Sequence, residues 1–309
     1  MAKSNYFNKN KLLYLSMLSF ILIATSAIAL NNGLKNVVTY VFPEKKVKAY
    51  SDLPVLKNGA NFPILSAQSV MAVDLTSAIT LYEKDPNRAL LPASTTKIVT
   101  ALVAIDTYEL EQVLKVGKTS VVGQKMGLVT GEEIKFIDLL NGLLIYSAND
   151  AAEVLAQNHP EGRDVFIDLM NKKVKDLGLN NTHFSNPTGL DNGSQFSTTR
   201  DLVVVSKEAM KNPIFAEIVG TKEKIVKSVD NRFTHRLSNI NKLLGEVDGV
   251  KGVKTGWTEN ARENLVTYVE RNGRHVMTVV LGSSDRFGET KELIEWIFNN
   301  YTWEEVKPE

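Results

Sequence analysis

The sequence predicts an α/β chain of the α+β type: one antiparallel sheet built from both chain ends, flanked by helices, with a mostly helical insert subdomain. Three observations carry this reading. β-Rich runs at 69–75 and 78–82 lie early in the chain, joined at Thr76-Ser77. Two alternating runs, 264–270 and 274–281, lie late and meet at Asn272-Gly273, the strongest short hairpin signal. Between these pairs the clear apolar patterns are helical.

The elements follow in order. Residues 1–11 carry Lys3, Lys9 and Lys11 and no acid, and residues 12–30 are uncharged and mostly apolar. That pairing reads as an export signal. It is either cleaved after Ala29, in the small-x-small form Ala27-Ile28-Ala29, or kept as an anchor of about 20 residues, enough to span a bilayer. Residues 31–61, with Pro43, Lys45, Lys46, Pro54 and Gly59, read as an extracytoplasmic linker. The folded domain is expected over 62–301, followed by a short tail, 302–309.

Within the domain, Pro92 suits a helix start, and Ile98, Ala101, Leu102 and Ile105 give that helix an apolar stripe. A broad apolar face predicts a buried helix over 133–146. It stops at Ser147-Ala148-Asn149-Asp150, where Asp150 and Glu153 read as a capping pair for the next helix. A helix over 165–177 is closed by Gly178. Residues 186–193 form a loop by composition, and another helix runs from about 198 to 211. A short strand over 250–256 follows the Asp248-Gly249 turn, and a helix over 286–301 closes the domain.

Composition removes several functions. The net charge of +1 gives no sign of a nucleic-acid partner. The absence of cysteine excludes both a disulfide framework and a thiolate nucleophile. His159, His183, His235 and His275 are scattered without metal-ligand spacing, so no metal and no cofactor are expected.

What remains is serine chemistry. Ser94 and Lys97 lie three apart and share one face of a first helical turn. A hydroxyl is a weak nucleophile, and an amine held neutral by its surroundings can take its proton. Two further motifs follow in order: Ser147-Ala148-Asn149 at the helix corner and Lys254-Thr255-Gly256 on the strand. Each of the three patterns occurs once in the chain.

With S-x-x-K, S-x-N and K-T-G in this order, the chain resembles the low-molecular-mass penicillin-binding proteins, specifically serine-type D-alanyl-D-alanine carboxypeptidases. The likeness runs through 91–104, 146–152, 186–191, 196–201 and 252–258, within a match covering roughly 62–301. It implies a β-lactamase/transpeptidase-like fold. It further implies that Ser94 attacks the carbonyl of a terminal D-Ala-D-Ala bond, with Lys97 as base and Ser147 as relay to the leaving amine. Asn149 would hold Lys97 or the substrate amide. Lys254, Thr255 and Gly256 would bind the extended peptide, Lys254 also acting as a cation beside Lys97. The oxyanion would rest on backbone N–H groups, including that of Ser94.

The implied partners are peptidoglycan stem peptides, β-lactams as covalent inhibitors, and a membrane if the leader is retained. Two departures bear on the activity. Class A β-lactamases need a glutamate after the S-x-N corner to activate the deacylating water, and residues 179–191 contain none. The larger carboxypeptidases carry a second, β-rich domain and a C-terminal amphipathic anchor, and the acidic end of this chain is a poor anchor, which favours 12–30 in that task. Arg200 and Arg286 are candidate carboxylate binders, each also readable as a surface ion-pair residue. The expected function is a DD-carboxypeptidase. A DD-endopeptidase, a β-lactamase and a non-catalytic wall or β-lactam sensor are the alternatives.

Overall fold

A computed structural model describes residues 52–191 and 194–305. The export segment over 1–30 and most of the 31–61 linker lie outside the described residues. Among the described residues no helix is long and apolar enough to cross a membrane.

The chain begins with β1 (Leu53–Leu56), β2 (Ser69–Asp74) and β3 (Thr80–Lys84), then a 3-10 turn (Ala93–Thr96) leading into α1 (Lys97–Thr107). The insert follows: β4 (Val113–Lys115), β5 (Glu133–Lys135), α2 (Phe136–Ile145), α3 (Asn149–Gln157), α4 (Arg163–Asp176), α5 (Thr199–Met210) and α6 (Pro213–Val219). A hairpin, β6 (Glu223–Lys227) and β7 (Thr234–Ser238), precedes β8 (Val250–Thr258), β9 (Arg262–Arg271), β10 (Arg274–Ser283), α7 (Arg286–Asn300) and β11 (Tyr301–Glu304).

The central sheet is antiparallel, in the order β3-β2-β10-β9-β8, so both chain ends build it as expected. Asn272 and Gly273 both have positive φ at the β9–β10 turn, the conformation that a two-residue hairpin of this hand requires. In the β2–β3 turn, Asp74 accepts hydrogen bonds from the N–H and hydroxyl of Ser77, both at 2.7 Å.

Each inner strand is covered on both faces. Val70, Ala72, Val276 and Val280 pack with Leu293 and Ile297 of α7. The alternate residues Met71, Val73, Met277, Val279 and Leu281 join the core shared with α1, α2, α3 and α5. That is why β2 reads as an unbroken buried run instead of alternating with polar residues. Helix α1 sits inside the second core, and every residue from Lys97 to Ala104 is buried. The stripe of four apolar positions therefore understates its burial.

The structure departs from the sequence reading at three places. Residues 133–135 are strand, not helix, because Ile134 pairs with Leu114 in a short ribbon before α2 begins. Asp150 is not a cap: Ala148 is the N-cap residue of α3, and the Asp150 carboxylate accepts the backbone N–H groups of Met126, Gly127 and Leu128 at 2.9–3.1 Å. Glu153 pairs instead with Arg163, at 2.7 Å and 3.0 Å. Third, the packed domain extends beyond 62–301 at both ends. β1 and β11 pair with each other, Trp303 donates to Asp74 at 3.0 Å, and Arg274 bonds Asp52 at 2.6 Å.

One buried side chain ties the sheet to the segment before Ser94. Asn264 on β9 donates to the carbonyls of Leu91 (2.9 Å) and Pro92 (3.1 Å), and its Oδ1 accepts Gly282 N–H at 2.8 Å. Asn264→Ala strands these groups out of water. It is expected to lower stability by about 1–3 kcal/mol, measured as a lower urea midpoint at unchanged slope, and to slow any reaction at Ser94.

Candidate active site

Ser94 lies in the 3-10 turn, and Lys97 is the first residue of α1. A 3-10 turn repeats every three residues, so positions i and i+3 eclipse. The turn thus stacks the two side chains more directly than the α-helical start expected from sequence. Lys97 is wholly buried, while Ser94 is half-exposed at the cleft.

The Lys97 amine has three neighbours. It lies 2.9 Å from Ser94 Oγ, 2.7 Å from Asn149 Oδ1 and 2.5 Å from the Thr188 carbonyl. Asn149 Nδ2 donates to the Val122 carbonyl at 2.7 Å, which orients the amide so that its oxygen faces the lysine. Two of the three neighbours can only accept. A neutral amine has two N–H groups and one lone pair, so it donates to Asn149 and Thr188 and turns the lone pair to the Ser94 hydroxyl. Burial lowers the Lys97 pKa from 10.5 to about 7, against the weaker pull of Asp150 and Glu153 in the other direction. Desolvation is the dominant cause.

A second buried amine stands on the other side. Lys254 Nζ donates to Ser147 Oγ at 2.7 Å and to the Thr255 carbonyl at 3.0 Å. Burial holds it well below its ordinary pKa, with Lys97 and Arg286 acting in the same direction. Ser147 adopts φ +59° at the corner between α2 and α3, which turns its hydroxyl to Lys254.

Backbone proximity explains two glycines. A Cβ on Gly256 would lie 3.1 Å from the Pro92 carbonyl and 3.2 Å from Ser94 N, so β8 runs directly beside the N–H of Ser94. At Gly189, with φ +84°, a Cβ would meet the Ala93 carbonyl at 1.9 Å. Asn186 gathers the N–H groups of Thr188 and Gly189 on its Oδ1, folding that loop so that Thr188 O reaches Lys97.

These groups open on a cleft of about 560 Å³ lined by Ser94, Ser147, Asn149, Thr255, Gly256 and Arg286 among others. All seven site residues singled out from sequence therefore converge: Ser94, Ser147, Asn149, Thr255 and Gly256 line the cleft, with Lys97 and Lys254 buried just beneath. Arg286 donates to the Gly256 carbonyl at 2.8 Å, while its Nε and Thr255 Oγ1 are buried without partners. Arg200 is elsewhere, exposed and bonded to Asn87 and Glu83. Sequence reasoning missed the Thr188 carbonyl, since a backbone acceptor has no residue signature, and the cleft rim formed by Val122 and Trp257, both exposed. Among the described residues no group of His, Asp and Glu could hold a metal ion.

A family profile described as D-alanyl-D-alanine carboxypeptidase matches residues 57–285. The chain belongs to the D-alanyl-D-alanine carboxypeptidase family. It has the fold shared by DD-peptidases and penicillin-binding proteins. A D-alanyl-D-alanine carboxypeptidase of Mycobacterium tuberculosis is 36% identical over 242 residues, covering 75% of this chain and 82% of that protein. One of Bacillus subtilis is 33% identical over 246 residues, covering 76% of this chain and 63% of its own length, so the chain spans less than two thirds of that relative. A D-alanyl-D-alanine endopeptidase of Escherichia coli is 32% identical, covering 77% and 79%. The crystal structure of the Streptomyces K15 DD-transpeptidase superposes with a TM-score of 0.74 at 31% identity, over 77% of this chain and 99% of that one.

The Lys97 environment makes acylation pH-dependent in a stated direction. The neutral amine accumulates as pH rises through about 7, so the acylation rate constant for penicillin is expected to rise tenfold per pH unit below that point and level off above it. Lys97→Arg keeps the charge and cannot be neutral. It should lose at least ~10²-fold in acylation and lose this limb of the profile. Stability carries the same signature. Unfolded Lys97 holds its proton to about 10.5, folded Lys97 only to about 7, so this group makes folding more favourable as pH rises between those values.

Proposed function

We propose that the chain is a serine DD-carboxypeptidase that removes the terminal D-alanine from peptidoglycan stem peptides through an acyl-enzyme on Ser94. The observation that carries this is the Lys97 amine, buried, held by two acceptors and 2.9 Å from Ser94 Oγ. Ser94 Oγ attacks the carbonyl carbon as its proton passes to Lys97. The developing oxyanion meets the Ser94 N–H, beside Gly256 at the edge of β8. Ser147, bonded to Lys254, hands its proton to the leaving D-alanine nitrogen and is reprotonated by the proton that Lys97 took from Ser94, which leaves Lys97 neutral again. Water, deprotonated by Lys97, releases the acyl group and restores the serine.

The substrate's free carboxylate fits the end of the cleft where Thr255 Oγ1 and Arg286 Nε lack partners and the Arg286 guanidinium supplies positive charge. Strand β8 is the last in the sheet order, so its outer edge can pair with an extended peptide. The export signal over 1–30 supports action outside the cytoplasm, at the cell wall, with the chain either secreted or anchored.

A β-lactam acylates the same serine, but its leaving group stays tethered and crowds the approach of water. Deacylation from this adduct is therefore slow. Mass spectrometry of peptidoglycan fragments incubated with residues 31–309 tests the proposal. Loss of one alanine per stem peptide is expected. Cleavage of cross-linked dimers instead would make the protein an endopeptidase, and no change would leave it a sensor. Ser94→Ala should abolish both alanine release and penicillin labelling with the fold intact, and labelling that survives would exclude Ser94 as nucleophile. A penicillin pulse should leave a near-stoichiometric adduct lasting many minutes. Its disappearance within seconds, with excess drug consumed, would make the protein a β-lactamase.

A further inference from the structure

The Ser94 cleft does not end at its apolar rim. Val122 and Leu190 line it, and both also line a second cavity of about 470 Å³. The floor of that cavity is α3. Asn149, Glu153 and Gln157 recur every four residues and so share one face of the helix. Asn149 holds Lys97, while Glu153 and Gln157 line the second cavity. At a rise of about 1.5 Å per residue, Glu153 lies about 6 Å and Gln157 about 12 Å beyond Asn149. An extended peptide covers about 3.4 Å per residue, so roughly two to four residues span that range.

The rim is apolar and open. Val122 is 70% exposed, and Trp257 on β8 is 61% exposed. Exposed apolar side chains gathered around a groove mark where a ligand covers them. The substrate carboxylate is assigned to the Arg286 end, so the acyl half is the part that passes this rim. An aliphatic stem suits the crest between Val122 and Leu190, which leads from one cavity to the next.

The second cavity is polar where the rim is not. On its floor Glu153 and Arg163 close a two-pronged ion pair, at 2.7 Å and 3.0 Å, and neutralise each other. Two groups stay unmatched. Lys118, exposed on the β4–β5 loop, carries an amine with no acceptor among the described residues. Asp191 stands on the loop that carries Thr188. Its Oδ2 accepts from Asn260 at 3.2 Å, and its Oδ1 is out of water with no donor. A buried carboxylate oxygen without a donor is costly, and an arriving ammonium relieves that cost. The cavity thus offers a cation from one loop and a carboxylate from the other, complementary to a group that carries both charges.

We propose that this cavity is a second subsite. It takes the side chain of the residue preceding the attacked D-alanine unit, where that side chain is an aliphatic stem ending in both an ammonium and a carboxylate. The proposal rests on the function stated above. The stem lies between Val122 and Leu190, the ammonium meets Asp191 Oδ1, and the carboxylate meets Lys118. Ser120 and Gln157, which also line the cavity, can donate further hydrogen bonds to the carboxylate. The subsite is remote from the reacting atoms and binds ground state and transition state alike. It therefore lowers KM and leaves kcat nearly constant.

Calorimetric titration of Ser94→Ala, which binds peptide without turning it over, tests the subsite. The probes are N-acetyl tripeptides ending in D-Ala-D-Ala, whose first residue is diaminoheptanedioic acid, lysine or side-chain-acetylated lysine. The doubly charged side chain is expected to bind about tenfold more tightly than acetyl-lysine, with lysine between them. Adding Asp191→Asn should remove most of the advantage of lysine over acetyl-lysine. Adding Lys118→Ala should remove the advantage of diaminoheptanedioic acid over lysine, about threefold for an exposed charge. Equal or undetectable affinity for the three peptides, or an order unchanged in both double variants, overturns the proposal. Lys118 is exposed, so its variant keeps the proposal falsifiable should Asp191→Asn fail to fold. Alanine release by the wild type is read separately. Release from all three peptides at equal kcat/KM keeps the carboxypeptidase and overturns the subsite. Release from none, with the three still ranked in affinity by Ser94→Ala, keeps the subsite and overturns the carboxypeptidase.

Discussion

An amine taken wholly out of water, with only neutral oxygens to bond it, is the constraint around which this domain is built. Burial disfavours the ammonium form, and an adjacent carboxylate would restore it. Here Asp150 and Glu153 act on Lys97 only weakly, because each is engaged elsewhere: Asp150 with three loop amides, Glu153 with Arg163. The acids nearest the lysine are thereby spent on local structure, and the amine meets an amide oxygen, a backbone carbonyl and a hydroxyl. Such a site is unfavourable for folding in isolation. It persists because α1 is anchored along its first two turns in a continuous core running from the sheet to the insert helices.

The readable parts of this arrangement are those in which a residue type and a local geometry coincide. Asn272-Gly273 specifies its own turn. Lys254-Thr255-Gly256 sits on a strand whose glycine has a reason to lack a side chain. Ser94 and Lys97 need only three-residue spacing to meet. The unread parts depend on distant backbone. The Thr188 carbonyl reaches Lys97 because Asn186 winds its loop around one side-chain oxygen, and carbonyls are common to all residues. Asp150 looks like a cap in sequence because the loop it clamps lies more than twenty residues away. Residues 133–135 continue an apolar pattern into α2, yet pair with β4, because a strand partner is invisible to helical periodicity.

The sheet edge beside the nucleophile is treated with similar economy. An exposed strand edge invites unwanted pairing. The first half of β8 is closed by α6, where a Cβ on Gly252 would already meet Val219. Only the stretch from Lys254 onward opens on the cleft, and Gly256 brings its backbone against the 3-10 turn. The length of open edge therefore has room for only a few residues of an added extended segment.

The pairing of β1 with β11 has a mechanical meaning. Asp52 and Trp303 meet Arg274 at the start of β10, while Gly282 at its other end is bonded to Asn264, next to the segment that carries Ser94. Eight residue steps along β10 separate Arg274 from Gly282, about 27 Å at the rise of an antiparallel sheet. The point where the described chain enters and the point where it reacts are thus opposite poles of one stiff plate. A load applied at Asp52 runs into the clasp and along β10 and does not cross the cleft, so the reacting groups keep their spacing while the domain is pulled or swung from its entry end.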